Sequence, residues 1–173
     1  MKKWTFVLML GFLLSCHKEN KPEQVIVHQN DFDSMLGWSD VDQGRLFKGN
    51  AHSGNYSAFT DFNHPYSLGF IRKLREISDR PIKRIEMNAW VLTKSFDAKA
   101  GLVLSIESGG KPQFYKGVNV LDSIQATQKW YPVRCRFDLP SDLSMDHEVR
   151  MYLWNTGKDT VLADDFEIKF FTQ

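Results

Sequence analysis

The chain has 173 residues, the length of one domain. Its 22 Lys and Arg stand against 21 Asp and Glu, so it lacks both the basic surplus of a nucleic-acid binder and the acidic excess of a solvating tail. Apolar residues make up 42% and charged residues 25%, the balance of a globular chain, and two cysteines are too few for a disulfide scaffold or a cysteine-rich zinc module.

Met1-Lys2-Lys3 gives a positive start, and Trp4 to Leu14 is an uncharged apolar run of 11 residues. The run is too short to span a bilayer and has the layout of a secretory signal. Leu13-Leu14-Ser15-Cys16 follows and resembles a bacterial lipobox, although Leu14 stands where a small or β-branched residue is usual. The resemblance implies cleavage after residue 15 and lipidation of Cys16. It places the chain in a cell envelope, at the outer membrane of a Gram-negative, Bacteroidetes-type bacterium. Loss of residues 1–15 removes Lys2 and Lys3, so the 21 acidic residues then exceed the basic ones by one. The membrane is therefore expected to be an anchor point and not an electrostatic docking surface. Residues 16–24 comprise the cysteine and a polar tether containing Pro22. Eight such residues reach roughly 25–30 Å when extended.

Residues 25–173 read as one all-β domain. Val25 and Val27, then Phe32, open a first strand, and Tyr56 to Thr60 and Tyr66 to Phe70 follow. Phe70 to Arg80 carries one short helical stripe, Ile71, Leu74 and Ile77, that stops at Pro81. Beyond it the period is two. Ile85, Met87, Ala89 and Val91 alternate with Arg84, Glu86, Asn88 and Trp90, and Leu102, Leu104 and Ile106 with Val103, Ser105 and Glu107. Val133, Cys135 and Phe137 alternate with Arg134 and Arg136 after Trp130, and Val149, Met151 and Leu153 with Arg150, Tyr152 and Trp154. Asp164, Phe166, Ile168 and Phe170 alternate with Asp165, Glu167 and Lys169, which puts Asp164 on the core side. Turns are expected at Ser53-Gly54, Asn63-His64-Pro65, Gly109 to Pro112, Leu139 to Asp142 and Asn155 to Lys158. Short strands at this spacing predict an antiparallel β-sandwich. Cys135 falls on the inward register and is expected to be a buried free thiol.

Four segments, in order, resemble the carbohydrate-binding jelly rolls of the galactose-binding-like superfamily, of the CenC-like type. They are Asn30-Asp31-Phe32-Asp33 with Gly37-Trp38, Ala51-His52-Ser53-Gly54-Asn55-Tyr56-Ser57, Trp130 to Leu139, and Val161 to Ile168 with its Asp164-Asp165-Phe166. The resemblance implies a jelly roll, glycan binding and one structural calcium where the first and last strands meet. By position it assigns Asp33 and Asp164 or Asp165 as carboxylate ligands, with main-chain oxygens near Gly49 and Gly54 completing the shell. The other reading of these aspartates is that they cap turns or pair with Arg and Lys.

Sugar binding needs flat apolar faces and polar groups that reach hydroxyls. Trp90, Trp130, Tyr152 and Trp154 sit on the register opposite the core, together with Asn88, Arg134, Arg150 and Glu86. The candidate ligand residues are Trp154, Tyr152, Trp90, Asn88, Arg134 and the loop residue Trp38; Phe62 and Tyr66 are further loop aromatics. Each outward Trp has a second reading, as a cover for the end of the core. The chain has no His-Glu-x-x-His, Gly-x-Ser-x-Gly or Walker motif and no Glu-x-Asp-x-x-Glu string, so no catalytic residue is nominated. Three readings remain. The first is a non-catalytic, membrane-anchored glycan-binding lipoprotein. The second is an assembly lipoprotein that binds another envelope protein, suggested by a binding module that stands alone. The third is a jelly-roll hydrolase or lyase, the least supported.

Overall fold

The computed structural model describes residues 22–34, 38 and 45–173, so the apolar leader, Cys16, most of the tether and Gly37 lie outside the described residues. Among the described residues there are ten strands: β1 (Val25–Asn30), β2 (Leu46–Lys48), β3 (Tyr56–Thr60), β4 (Phe70–Lys73), β5 (Ile82–Thr93), β6 (Ala100–Ser108), β7 (Lys111–Asn119), β8 (Trp130–Asp138), β9 (Glu148–Asn155) and β10 (Val161–Thr172). One sheet runs β2-β3-β10-β5-β8, with β1 also pairing β10, and the other runs β4-β9-β6-β7. Every pairing is antiparallel, and the two sheets form a β-sandwich.

The core follows from alternation. Ile85, Met87, Ala89 and Val91 on β5 and Val133, Cys135 and Phe137 on β8 are buried, as are Leu102, Leu104 and Ile106 on β6 and Val149, Met151 and Leu153 on β9. Trp38 fills one part of this core, 5.2 Å edge-on from Phe70 and 6.2 Å from Phe166. Phe32 meets Phe166 edge-on at 5.3 Å. Such edge-to-face pairs add about 0.5–1.5 kcal/mol each beyond the area they bury. Cys135 is buried as expected, and desolvation pushes its thiol up to about 12.

Several local expectations change. In β1 the partly buried residues are Ile26 and His28, while Val25 and Val27 are 45% and 47% exposed. Phe70 to Arg80 divides into β4 and one helical turn, α1 (Leu74–Ile77), whose start is held by the Glu76 carboxylate accepting the Lys73 N–H at 3.1 Å. Strands β2 and β7 were not anticipated by the two-residue period.

Asp164 is not on the core side. It pairs with Trp90, whose side chain is outward, and Ala163 pairs with inward Val91. The register then slips by one residue between Asp164 and Glu167, where Asp165 takes a φ of 47°. This bulge shifts the phase of β10, so a simple alternation counted back from Phe166 assigns Asp164 to the wrong face.

Candidate functional site

The outward aromatic residues separate onto two opposite faces. Trp90, Asn88 and Arg134 belong to β5 and β8 in the first sheet, whereas Tyr152 and Trp154 belong to β9 in the second. On the first sheet, His52 stacks on Trp90 with centroids 3.9 Å apart and planes at 12°, so one face of that indole is covered. Trp130 meets the same imidazole edge-on at 5.9 Å. Asn88 donates to Glu167 Oε1 at 3.0 Å, and Glu167 also accepts from Gln29 at 2.9 Å and pairs with Lys169 at 2.7 Å. Arg134 is exposed beside Asn88. Trp38 does not offer a ligand face: at 2% exposure its ring is spent on the core, which corrects its assignment as a loop contact.

The aspartates assigned to calcium hold the turn at residues 51–56 from two sides. Asp164, fully buried beneath that turn, accepts the N–H groups of His52 at 2.7 Å, Ser53 at 3.1 Å and Asp165 at 2.8 Å. Burial raises its carboxyl to about 6, against the opposing pull of these three N–H bonds. Asp165 accepts from Ser53 Oγ and lies 2.5 Å from His52 Nδ1. Asp33 accepts the N–H groups of Asn55 at 2.8 Å and Tyr56 at 3.0 Å and the Asn55 amide at 3.1 Å. The Asn55 backbone bond comes first among the causes that hold this carboxyl below its ordinary range. Gly54, with φ of 60°, packs its Cα against the Asp33 carboxylate, where a Cβ would overlap it, and Gly49, with φ of 87°, donates to the Asn55 carbonyl at 3.0 Å. Among the described residues no three acidic, His or Cys groups converge on one point. As arranged, the donor set does not fit calcium, because the carboxylate oxygens are turned on N–H and O–H donors.

The second sheet carries an aromatic groove on its outer face. Strand register places Arg150, Ser105 and Tyr115 in one row, Tyr152, Val103 and Gly117 in the next, and Trp154, Gly101 and Asn119 in the third. Val103 and Ser105 are each 1% exposed although they face outward, so the larger side chains around them form walls over a floor. Tyr66 joins from the loop before β4 through a bridge to Trp154. Its ring is 6.5 Å from that of Trp154 with planes at 15°, and 5.7 Å edge-on from Tyr152. Tyr66 and Tyr115 remain 50% and 49% exposed. Gly69 lets the chain pass the sheet closely, since a Cβ there would overlap the Met151 carbonyl oxygen.

Two cavities open along this face. One of about 340 Å³ is bordered by Tyr66, Gly69, Glu107, Arg150 and Tyr152. The other, of about 580 Å³, is bordered by Gly101, Val103, Tyr115, Gly117 and Trp154. Arg150 pairs with Glu148 at 2.6 Å and Glu107 at 3.4 Å. Burial works against its charge, but the Glu148 hydrogen bond and the two carboxylates outweigh it and raise its basicity. Burial, with Tyr115, Tyr66 and Glu107 nearby, pushes the Tyr152 phenol up to about 12, so it stays a neutral O–H. The groove thus offers flat rings, a phenolic O–H and a neutralised guanidinium.

The same two-sheet arrangement occurs in solved structures of known modules. The CBM22-1 xylan-binding domain of Paenibacillus barcinonensis Xyn10C superposes with a TM-score of 0.57 at 19% identity, covering 88% of this chain and 98% of that one. The chain shares the β-sandwich fold of that domain. The CBM22-2 xylan-binding domain of the same Xyn10C gives a TM-score of 0.52 at 14% identity, covering 82% of this chain and 97% of that domain. The C-terminal family 22 module of Clostridium thermocellum Xyn10B gives 0.52 at 14% identity, covering 84% and 91%. No family model matches the sequence, and no curated protein matches it.

Of the residues expected from the sequence, the structure brings together Trp154 and Tyr152 and adds Tyr66. Trp90, Asn88 and Arg134 lie across the sandwich from them. Tyr115, Gly101 and Gly117 were missed. Tyr115 and Gly117 lie on β7, and Gly109-Gly110 between β6 and β7 was the available signal. A Gly-Gly pair between two runs of strand formers marks a hairpin, which would have placed a strand on each side.

Proposed function

We propose that this chain is a non-catalytic glycan-binding lipoprotein whose groove on the second sheet holds a polysaccharide chain. The observation that carries the reading is the set of Tyr66, Tyr152 and Trp154 around an open groove floored by Val103. Near-parallel aromatic faces provide stacking surfaces for sugar rings, and polar groups at the border bond their hydroxyls. The similar solved domains are described as xylan-binding, which makes xylan the polysaccharide to try first. The two carboxylates beside the groove, Glu107 and Glu148, are both engaged by Arg150. That engagement supports binding without hydrolysis, since glycoside cleavage needs one carboxyl as acid and another as base or nucleophile. The lipobox-like Cys16 supports anchoring at the cell envelope, with the sandwich held outside the bilayer by a short tether.

The test is isothermal titration of xylan and of other neutral polysaccharides into the protein and two variants. Trp154→Ala is expected to weaken binding by about fivefold to a hundredfold, since a stacked aromatic is worth about 1–3 kcal/mol. Trp90→Ala, on the opposite face and already stacked by His52, is expected to leave it unchanged. Full binding by Trp154→Ala, or loss in Trp90→Ala alone, would move the site to the first sheet. Anchoring is tested by Cys16→Ser, which should release the protein from membranes.

A further inference from the structure

The larger of the two cavities differs from the groove around it. Trp154 and Tyr115 flank it, and Gly101, Val103, Gly117 and Leu121 form much of its lining. Gly117 is not there for its backbone: it has no left-handed φ, and an added Cβ would make ordinary contact with Val103 at 3.4 Å and the Leu102 carbonyl oxygen at 3.6 Å, whereas at Gly101 a Cβ would crowd the Val118 carbonyl oxygen at 3.2 Å. A glycine inside a strand weakens the strand, and it marks places where another group must approach the sheet. At Gly117, then, the absent side chain is itself the feature, because it opens a hole beside the aromatic wall.

The hole is poor in hydrogen-bonding groups. Asn119, on its border, accepts the Leu121 N–H at 3.2 Å and donates to Asp122 at 3.0 Å, so its amide is committed to the turn. A sugar hydroxyl set against the floor of Gly101, Val103, Gly117 and Leu121 would lose water without a partner there, which is costly. A small apolar substituent would gain instead. Lys99 is the cationic residue on this border and suits a carbonyl oxygen. A methyl group for the apolar floor together with a carbonyl for the ammonium describes an acetyl group.

We propose that the pocket between Trp154 and Tyr115 receives the acetyl group of an acetylated sugar, so that the groove selects acetyl-decorated glycan over the same chain without the decoration. The inference rests on the glycan-binding reading of this groove. At about 580 Å³ the pocket is roomy enough for the substituent and part of its sugar.

The experiment titrates two matched pairs into the purified protein: native acetylated xylan against the same polymer deacetylated in alkali, and chitohexaose against cellohexaose. The first pair tests O-acetyl groups and the second N-acetyl groups. The acetylated member of at least one pair should bind about tenfold or more tightly, the range expected for one small apolar group in a fitted pocket. Gly117→Val, which fills the hole, should abolish that preference and bring the two members of the pair to equal affinity. Gly117→Ala should reduce the preference, and serves if the valine variant melts early. Equal binding within both pairs, with Trp154→Ala still weakening every glycan, overturns the acetyl pocket and leaves the groove intact. Binding of no glycan at all overturns the groove reading and the pocket with it.

Discussion

Asp164 gives the molecule an unusual dependence of stability on pH. Its carboxyl titrates near 6 in the folded chain because it is buried, and near the ordinary 3.8 when unfolded. Between these values the native state holds a proton that the unfolded chain has released. The contribution is fully present below pH 3.8 and is lost as pH rises through 6. A difference of that size corresponds to up to about 3 kcal/mol, at 1.36 kcal/mol per unit. His28 acts in the opposite direction. Burial first, then Arg72, lowers its imidazole pKa, so it favours the native state above pH 6.5 and costs stability as pH falls through its folded value. Asp33, Asp61 and Glu167 are all depressed, so what they add is lost only as pH falls below the ordinary carboxyl range. The Asp164 term is therefore isolated by difference. Urea unfolding of the native protein and of Asp164→Asn would be followed from pH 4.5 to 7.5. The variant loses part of the N–H set at every pH, because an amide offers one acceptor oxygen where the carboxylate offers two. Its level is thus expected to be lower, but the native protein should lose stability relative to it as pH rises, by about 2 kcal/mol across this window. Parallel curves would show that the buried carboxyl does not titrate in this window, and the reasoning would fall.

Three further outcomes are expected. Gly69→Ala should lower stability by about 1–3 kcal/mol in denaturant unfolding, because its Cβ must displace the Met151 carbonyl at the edge of the groove. In protein carrying Cys16→Ser, Cys135 should resist a thiol reagent until the chain unfolds, since burial keeps the thiolate scarce; fast labelling of folded protein would contradict that. Millimolar calcium should leave the melting temperature within about one degree, because binding would have to pull carboxylates away from existing N–H bonds; a rise of several degrees would show that Asp33, Asp164 and Asp165 swing onto an ion.

The two-residue period revealed the sandwich and most of its core because each inward residue reports its own burial. β9, β8 from Pro132 onward and β5 from Ile85 to Val91 alternate without interruption, so their buried sets were legible residue by residue. The period failed where the backbone departs from it. At Asp165 an extra residue inverts the phase of β10, and Asp164 passed from the core register to a place under the 51–56 turn. It also failed in β7, an edge strand whose largely exposed residues lack a buried face to betray it. Outward aromatics could be recognised from sequence as a class, since the core was already supplied without them. Their grouping could not. Trp90 and Trp154 share an outward register in sequence, yet the order of strands sends them to opposite sides of the molecule. Local chemistry along one strand determines which way a side chain points. Which side chains meet is decided by pairing between residues far apart in the chain, and here that pairing alone joined Tyr66, Tyr115, Tyr152 and Trp154 into a single groove.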